Sequence, residues 1–263
     1  MYFNIVTGQK GGVGKSTFSK LLVEFYIYKN WVYKLFDMDV SSLDVGKIYD
    51  PKTYKSKKKS SDENKDQNNE ENFLQFTANK AYKDEVDILF ETALKNNLIC
   101  NLPSNIKHLF NPWMIENDLI ALGRSENVKF VQWFVCSGES QSIAEFIETV
   151  DKFTNSDSFQ HVFVKNYGLE ENWTKVLENN KILKETLESD SIITFDLPGL
   201  SPTRYKLILD NDLTFSDAKD SSKLNIVARQ GVKKFLDKAY ENFEPVFNEL
   251  HQALPELVAS EGK

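Results

Sequence analysis

Six short runs of the chain are almost entirely apolar, at residues 2–6, 31–36, 97–102, 128–136, 161–165 and 191–195. Most are continuous rather than alternating. A continuous run suits a strand covered on both faces, whereas alternation suits one with a wet face. Between several runs the period changes to that of a helix. Residues 16–29 carry Phe18, Leu21, Leu22, Phe25 and Tyr26 at helical spacing, and residues 140–153 carry Ile143, Phe146, Ile147 and Val150. Strand–helix alternation predicts an α/β fold: a mainly parallel sheet with helices on both faces.

Two segments depart from this pattern. Residues 51–72 read PKTYKSKKKSSDENKDQNNEEN, with Tyr54 as the one large apolar side chain. Such a segment buries too little apolar surface to offset its ordering entropy, so a disordered insertion is expected there. Residues 225–263 form a C-terminal helical region of one or two helices. Val232, Phe235, Leu236, Tyr240, Phe243 and Val246 lie on its apolar side, and Lys233, Lys234 and Lys238 on or near the other. No internal repeat is visible, and 263 residues are expected to form a single domain, 1–263.

Composition narrows the function classes. The formal net charge is −7, so the whole-protein field attracts neither nucleic acid nor an anionic membrane, and DNA contact needs a local basic patch. Arg229, Lys233, Lys234 and Lys238 are the candidates, against the plainer reading of a solvated helix face. Cys100 and Cys136 belong to no CxxC pair and lie in apolar runs, as buried reduced thiols do. Met1 leads directly into a strand, and no apolar run reaches the roughly 20 residues that span a bilayer. A cytoplasmic protein is expected.

The chemistry concentrates at residues 8–17, GQKGGVGKST, between the first apolar run and the first helical one. That strand–loop–helix context is what a phosphate-binding loop requires. Gly11, Gly12 and Gly14 let the backbone approach phosphate oxygens, and with Val13 they offer N–H groups at the positive end of the helix. Lys15 is expected on the β- and γ-phosphates, Ser16 on Mg²⁺ and Thr17 on the α-phosphate. The expected ligand is ATP with Mg²⁺.

A strict phosphate loop of the form G-x-x-x-x-G-K-[ST] has glycine where this chain has Gln9. The run Lys10-Gly11-Gly12-Val13-Gly14-Lys15-Ser16 instead resembles the deviant Walker A motif of the ParA/MinD family of ATPases. The resemblance implies a SIMIBI-type P-loop NTPase with three α/β/α layers. It also implies an ATP-sandwich homodimer, in which the extra lysine, here Lys10, contacts the partner's ATP.

The second apolar run ends Phe36-Asp37-Met38-Asp39, two acids at i and i+2 at the carboxyl end of a buried strand, which point the same way. The carboxyl end of a parallel strand is where ligands bind. The pair resembles the family's A′ motif, which implies that Asp39 orients the attacking water and Asp37 supports the Mg²⁺ shell.

Two stretches compete for the Walker B position. Asp196 is better by residue type, because a carboxylate is the usual hard ligand. Asn101, in Leu98-Ile99-Cys100-Asn101-Leu102-Pro103, is better by order along the chain and is the expected one. The same order implies that Asn166 reads the adenine and Pro198 lies against it. Residues 97–173 are most similar to the MobD/StbB-like branch, relatives that serve plasmid mobilisation and stability.

The function expected from the resemblance is a slow ATP-dependent dimer switch for DNA partition, positioning or mobilisation, with a ParB-like or relaxosome partner. The alternatives are a non-hydrolysing ATP-dependent binding module and a metabolic enzyme of the dethiobiotin synthetase type. The Mrp-type carriers need a CxxC. A MinD-type membrane anchor needs a basic amphipathic end, whereas this chain closes LPELVASEGK.

Overall fold

Each of the six apolar runs forms a strand: β1 Tyr2–Thr7, β2 Tyr33–Asp37, β3 Asn97–Asn101, β4 Lys129–Cys136, β5 Phe159–Asn166 and β6 Ile193–Leu197. They pair in one sheet in the order β2-β3-β1-β4-β5-β6, and every pairing is parallel. The computed structural model describes residues 1–8, 11–54, 74–79, 81–153, 156–188 and 192–253.

The continuous apolar character of the strands is explained by helices packed around the sheet on both faces. Alternate residues of β4 go to opposite sides. Val131, Trp133 and Val135 face Phe18, Leu22 and Phe25 of helix α1, Lys15–Tyr28, and Phe243 and Phe247 of the helix Ile226–Ala253. Phe130 faces Phe90 and Trp113 on the other side, and Phe134 faces Phe146. Phe25 stacks on Phe243 with ring centroids 4.8 Å apart, and Phe195 lies 4.4 Å from the same ring. The C-terminal helical region is thus one helix over its described length, and it closes the core over α1 and β6.

Strand ends differ from the sequence expectation in ways packing explains. β2 begins at Tyr33, because Asn30 takes a positive φ of 54° and Trp31 turns back to donate to Tyr26 O. The Trp31 ring packs on Phe247 instead of extending the strand. β6 runs on through Asp196 and Leu197. The start of the charged segment is also folded: Pro51–Tyr54 is a helical turn, and Tyr54 is buried. Its ring fills the space beside Gly46, where a Cβ would stand 2.5 Å from it. Residues 55–72 of the expected insertion, and 254–263 of the C-terminal region, lie outside the described residues.

Both cysteines are buried free thiols, and burial pushes both away from the reactive thiolate. No helix among the described residues is long and apolar enough to cross a membrane.

His161 on β5 is fully buried beside Phe159, with Nε2 against Phe153 O. Burial pushes its pKa down from 6.5 to about 4, and the Phe153 hydrogen bond opposes the shift. A lowered folded-state value means that the stability is present above the unfolded value and is lost as pH falls through the folded one. Between pH 6.5 and about 4, His161 should therefore withdraw about 3 kcal/mol. Urea unfolding of the wild type and His161→Gln across this range checks it, and equal acid sensitivity in the two would contradict it.

Candidate functional site

β1 is central in the sheet, so the loop that follows it has β3 on one side and β4 on the other. Gly8 leaves the strand under Val135 O, where a Cβ would come within 2.7 Å of that oxygen. Residues 9 and 10 lie outside the described residues, and with them Gln9 and the expected dimer lysine Lys10. Gly11, Gly12 and Val13 follow, and Gly11 and Gly12 border open space. Gly14 then starts α1 in the left-handed region, with φ 101°. No side chain caps this helix start, and its first turn holds no acid. The first-turn N–H groups and the positive end of the dipole are therefore presented to the loop, an arrangement that suits an anion.

Asn166, from the end of β5, braces this loop. Its Nδ2 donates to Val13 O at 2.8 Å, and its Oδ1 accepts from Gly168 N at 2.9 Å. A Cβ on Gly14 would collide with the Asn166 amide. The amide expected to read a base thus supports the glycine loop in this structure. Pro198 follows directly on Leu197, the β6 residue in register with Asn166.

Lys15 is only 6% exposed, and its ammonium donates to Ser104 Oγ at 2.8 Å. Burial lowers its pKa, and the charge of Asp39 raises it. Asp39 lies just past β2, where Ser41 Oγ donates to its carboxylate. It opens on a cleft of about 320 Å³ shared with Gln75, Pro103 and Ser104. A second cleft, of about 280 Å³, lies on the other side of Gly11 and Gly12, against Gly138, Glu139 and Glu170. Ser16 and Thr17 are half-buried on the first turn of α1.

Asp37 and Asp39 sit in different surroundings at the end of β2: the first is buried and the second half-buried. Asp37 turns inward and is 1% exposed. Its Oδ1 accepts from Asn101 Nδ2 at 2.9 Å, and its Oδ2 from Val45 N at 3.0 Å and Gly46 N at 2.8 Å. Its own N–H donates to Tyr54 Oη at 2.8 Å. Burial pushes the carboxyl upward more strongly than the bonds from Gly46, Asn101 and Val45 pull it down.

Asn101 is its register partner on β3 and is equally buried. The Asn101 Oδ1 accepts from Ser19 Oγ at 2.9 Å. A continuous chain of hydrogen bonds thus runs from α1 through β3 and β2 to residues 45–46.

β3 lies beside β1, whereas β6 lies three strands away, about 14 Å by ordinary strand spacing. Asp196 forms an ion pair with Lys165 at 2.7 Å, and its backbone oxygen accepts from Asn242. Of the two Walker B candidates, the fold brings Asn101 to the loop and not Asp196.

Fit to the expected ligands is uneven. The uncapped first turn and open glycine loop fit a polyphosphate. Ser16 is accessible to a cation. Asp37 and Asn101 already hold one another, which suits a supporting layer reached through water better than direct ligation. Among the described residues, no group of three or more His, Cys, Asp or Glu is placed to hold a metal ion.

Sequence reasoning missed Ser19, Ser104 and Tyr54. Ser19 had a visible signal, a polar residue inside an apolar helix face, and Tyr54 another, a lone aromatic in a charged run. Ser104 had none. Compared with known families and curated proteins, the chain matches no family model and no curated protein.

Removing the Asp37 carboxylate leaves the Asn101 amide and the Val45 and Gly46 N–H groups, among others, without their acceptor. Asp37→Ala should cost about 3 kcal/mol and Tyr54→Phe about 1 kcal/mol. Urea denaturation measures both, and an Asp37→Ala protein as stable as the wild type would show that the chain of bonds carries no load.

Proposed function

We propose that this chain is an ATP- and Mg²⁺-binding P-loop protein of three α/β/α layers, working as a ParA/MinD-type ATPase switch. The observation that carries the reading is the head of α1. An uncapped first turn, an open glycine loop and a nearly buried Lys15 meet beside the central strand, with Asp39 alongside.

The backbone N–H groups of residues 11–16 hold the phosphates, and Lys15 exchanges Ser104 for phosphate oxygens. Ser16 holds the cation, which supplies charge neutralisation at the transferring phosphoryl group. Thr17 donates to the α-phosphate. Asp39 holds and orients the attacking water from its cleft. Asp37 and Asn101 keep β2, β3 and α1 in place around that point. Asn166 sets the loop, and Pro198 borders the base.

Lys10 of each subunit closes on the other's phosphates, so the working form is an ATP-sandwich homodimer in the cytoplasm. The cargo is DNA in partition, positioning or mobilisation, through a ParB-like or relaxosome partner. Arg229, Lys233, Lys234 and Lys238 are the candidate DNA contacts. Of these, Lys238 is paired with Glu241, while Lys233 and Lys234 are exposed.

A second reading, ATP binding without hydrolysis, is favoured by one observation. Asn101 brings an amide, not a carboxylate, to the strand beside the loop.

Lys15→Ala should weaken MgATP binding about 100-fold, and Asn101→Ala should weaken it while Asp196→Ala does not. Calorimetry reads all three. Size-exclusion chromatography should show a dimer with ATP and a monomer without it. A monomer in both conditions, with Lys10→Ala hydrolysing at the wild-type rate, would defeat the switch. Asp39→Ala should cut phosphate release by about 10²-fold or more, and a wild type with no release at all selects the non-hydrolysing reading.

A further inference from the structure

The helix Ile226–Ala253 starts with two β-branched apolar side chains in water. Ile226 is 72% and Val227 65% exposed. Helical spacing places Val227, Gln230, Gly231 and Lys234 on one face. Arg204, from the first turn of the helix Pro202–Asp210, forms the facing wall. Together they line an open groove of about 530 Å³.

Gly231 is the floor of this groove. It lies inside a 28-residue helix, where glycine is disfavoured. A Cβ there would stand 2.6 Å from the Arg204 guanidinium carbon. Glycine lets that guanidinium lie flat across the helix and keeps the groove open.

The charge is local and runs against the rest of the molecule. The chain carries −7 overall, yet Arg204 and Lys234 flank the groove and Lys233 is exposed on the next stripe. None of the three is in an ion pair among the described residues.

The shape and chemistry select among occupants. A second copy meeting this face in a two-fold dimer would bring like charges together. A duplex would set phosphates against Ile226 and Val227, although such interfaces are strongly polar. A bilayer is flat and leaves a concave groove unfilled. We infer that this groove docks an acidic amphipathic helix of a different protein. Its apolar anchors seat against Ile226 and Val227, and its carboxylates meet Arg204 and Lys234. The inference does not depend on nucleotide binding.

The test uses the full chain without nucleotide and three fluorescent helical peptides of about 16 residues. They share one leucine–phenylalanine face and carry Glu, Gln or Lys on the other. In fluorescence anisotropy the Glu peptide should bind at least about tenfold more tightly than the Lys peptide, and added salt should weaken it. Val227→Asp and Lys234→Glu should each weaken it about tenfold, while Lys175→Glu, at a distant exposed site, leaves it unchanged. Circular dichroism and melting identify a variant that has lost its fold. The exposed Lys234→Glu change then carries the test if Val227→Asp does not fold.

Equal binding of the three peptides, or binding of none, overturns the inference. So does an anionic phosphatidylserine vesicle that binds the wild type and is lost in the same variants, or duplex DNA whose binding is lost in Val227→Asp, since DNA held through the lysines alone has no need of that apolar side chain. A dimer by sedimentation that Val227→Asp dissociates overturns it too, by assigning the groove to a second copy.

Discussion

One buried carboxylate holds the functional end of this sheet together. Asp37 reaches Asn101 on the neighbouring strand, and through it Ser19 on α1, while its other oxygen holds the backbone at residues 45 and 46. A charge buried this deeply is tolerated because every bond it accepts stabilises the ionised form. Remove it, and the loop that carries Asp39 loses its fixed relation to the glycine loop at residues 8–14. The Tyr54 hydroxyl adds a further tie by accepting from Asp37 N.

The same segment is tied to α1 a second time by another buried acid. Glu24 on α1 is 1% exposed and accepts from Tyr49 Oη at 2.7 Å and from Ser216 N at 2.9 Å. Phe215 N donates to Tyr49 Oη at 3.2 Å. Residues 37–54 are therefore clamped at both ends, once to β3 and once to α1 and the short turn at residues 214–218. Two polar anchors inside an aromatic core give this excursion one position where apolar packing alone would permit several.

The strands were legible because parallel strands covered on both faces need continuous apolar runs, and little else in a chain of this composition produces them. The helix at residues 140–153 was legible from its period alone. Strand ends were not, since they depend on tertiary partners. Trp31 reads as strand but packs on Phe247, and Asp196 reads as a strand exit but pairs with Lys165 inside β6. At the site, glycine and lysine spacing announced the loop. The burial of Asp37 did not show, because it depends on tertiary partners at residues 45, 46 and 101. Nor did the Asn166 brace, because a sequence does not say which of two neighbours an amide will hold.

Asn101 supplies beside Asp37 what a second carboxylate could not. Asp37 and Asn101 are register partners on adjacent strands, both buried. A carboxylate at each would set two charges about 4 Å apart, a repulsion on the order of 4 kcal/mol at an effective dielectric of 20. One of the two would then be forced to hold a proton. An amide avoids this and supplies the donor that the single acid needs. The buried β2–β3 pair keeps one carboxylate, on β2, in place of two on adjacent strands. On the proposed reading, the cation at Ser16 gains less electrostatic support from the protein and depends more on the phosphates. On that reading Asp37 would constrain the strength of cation binding through its choice of neighbour, as well as holding the loop that carries Asp39.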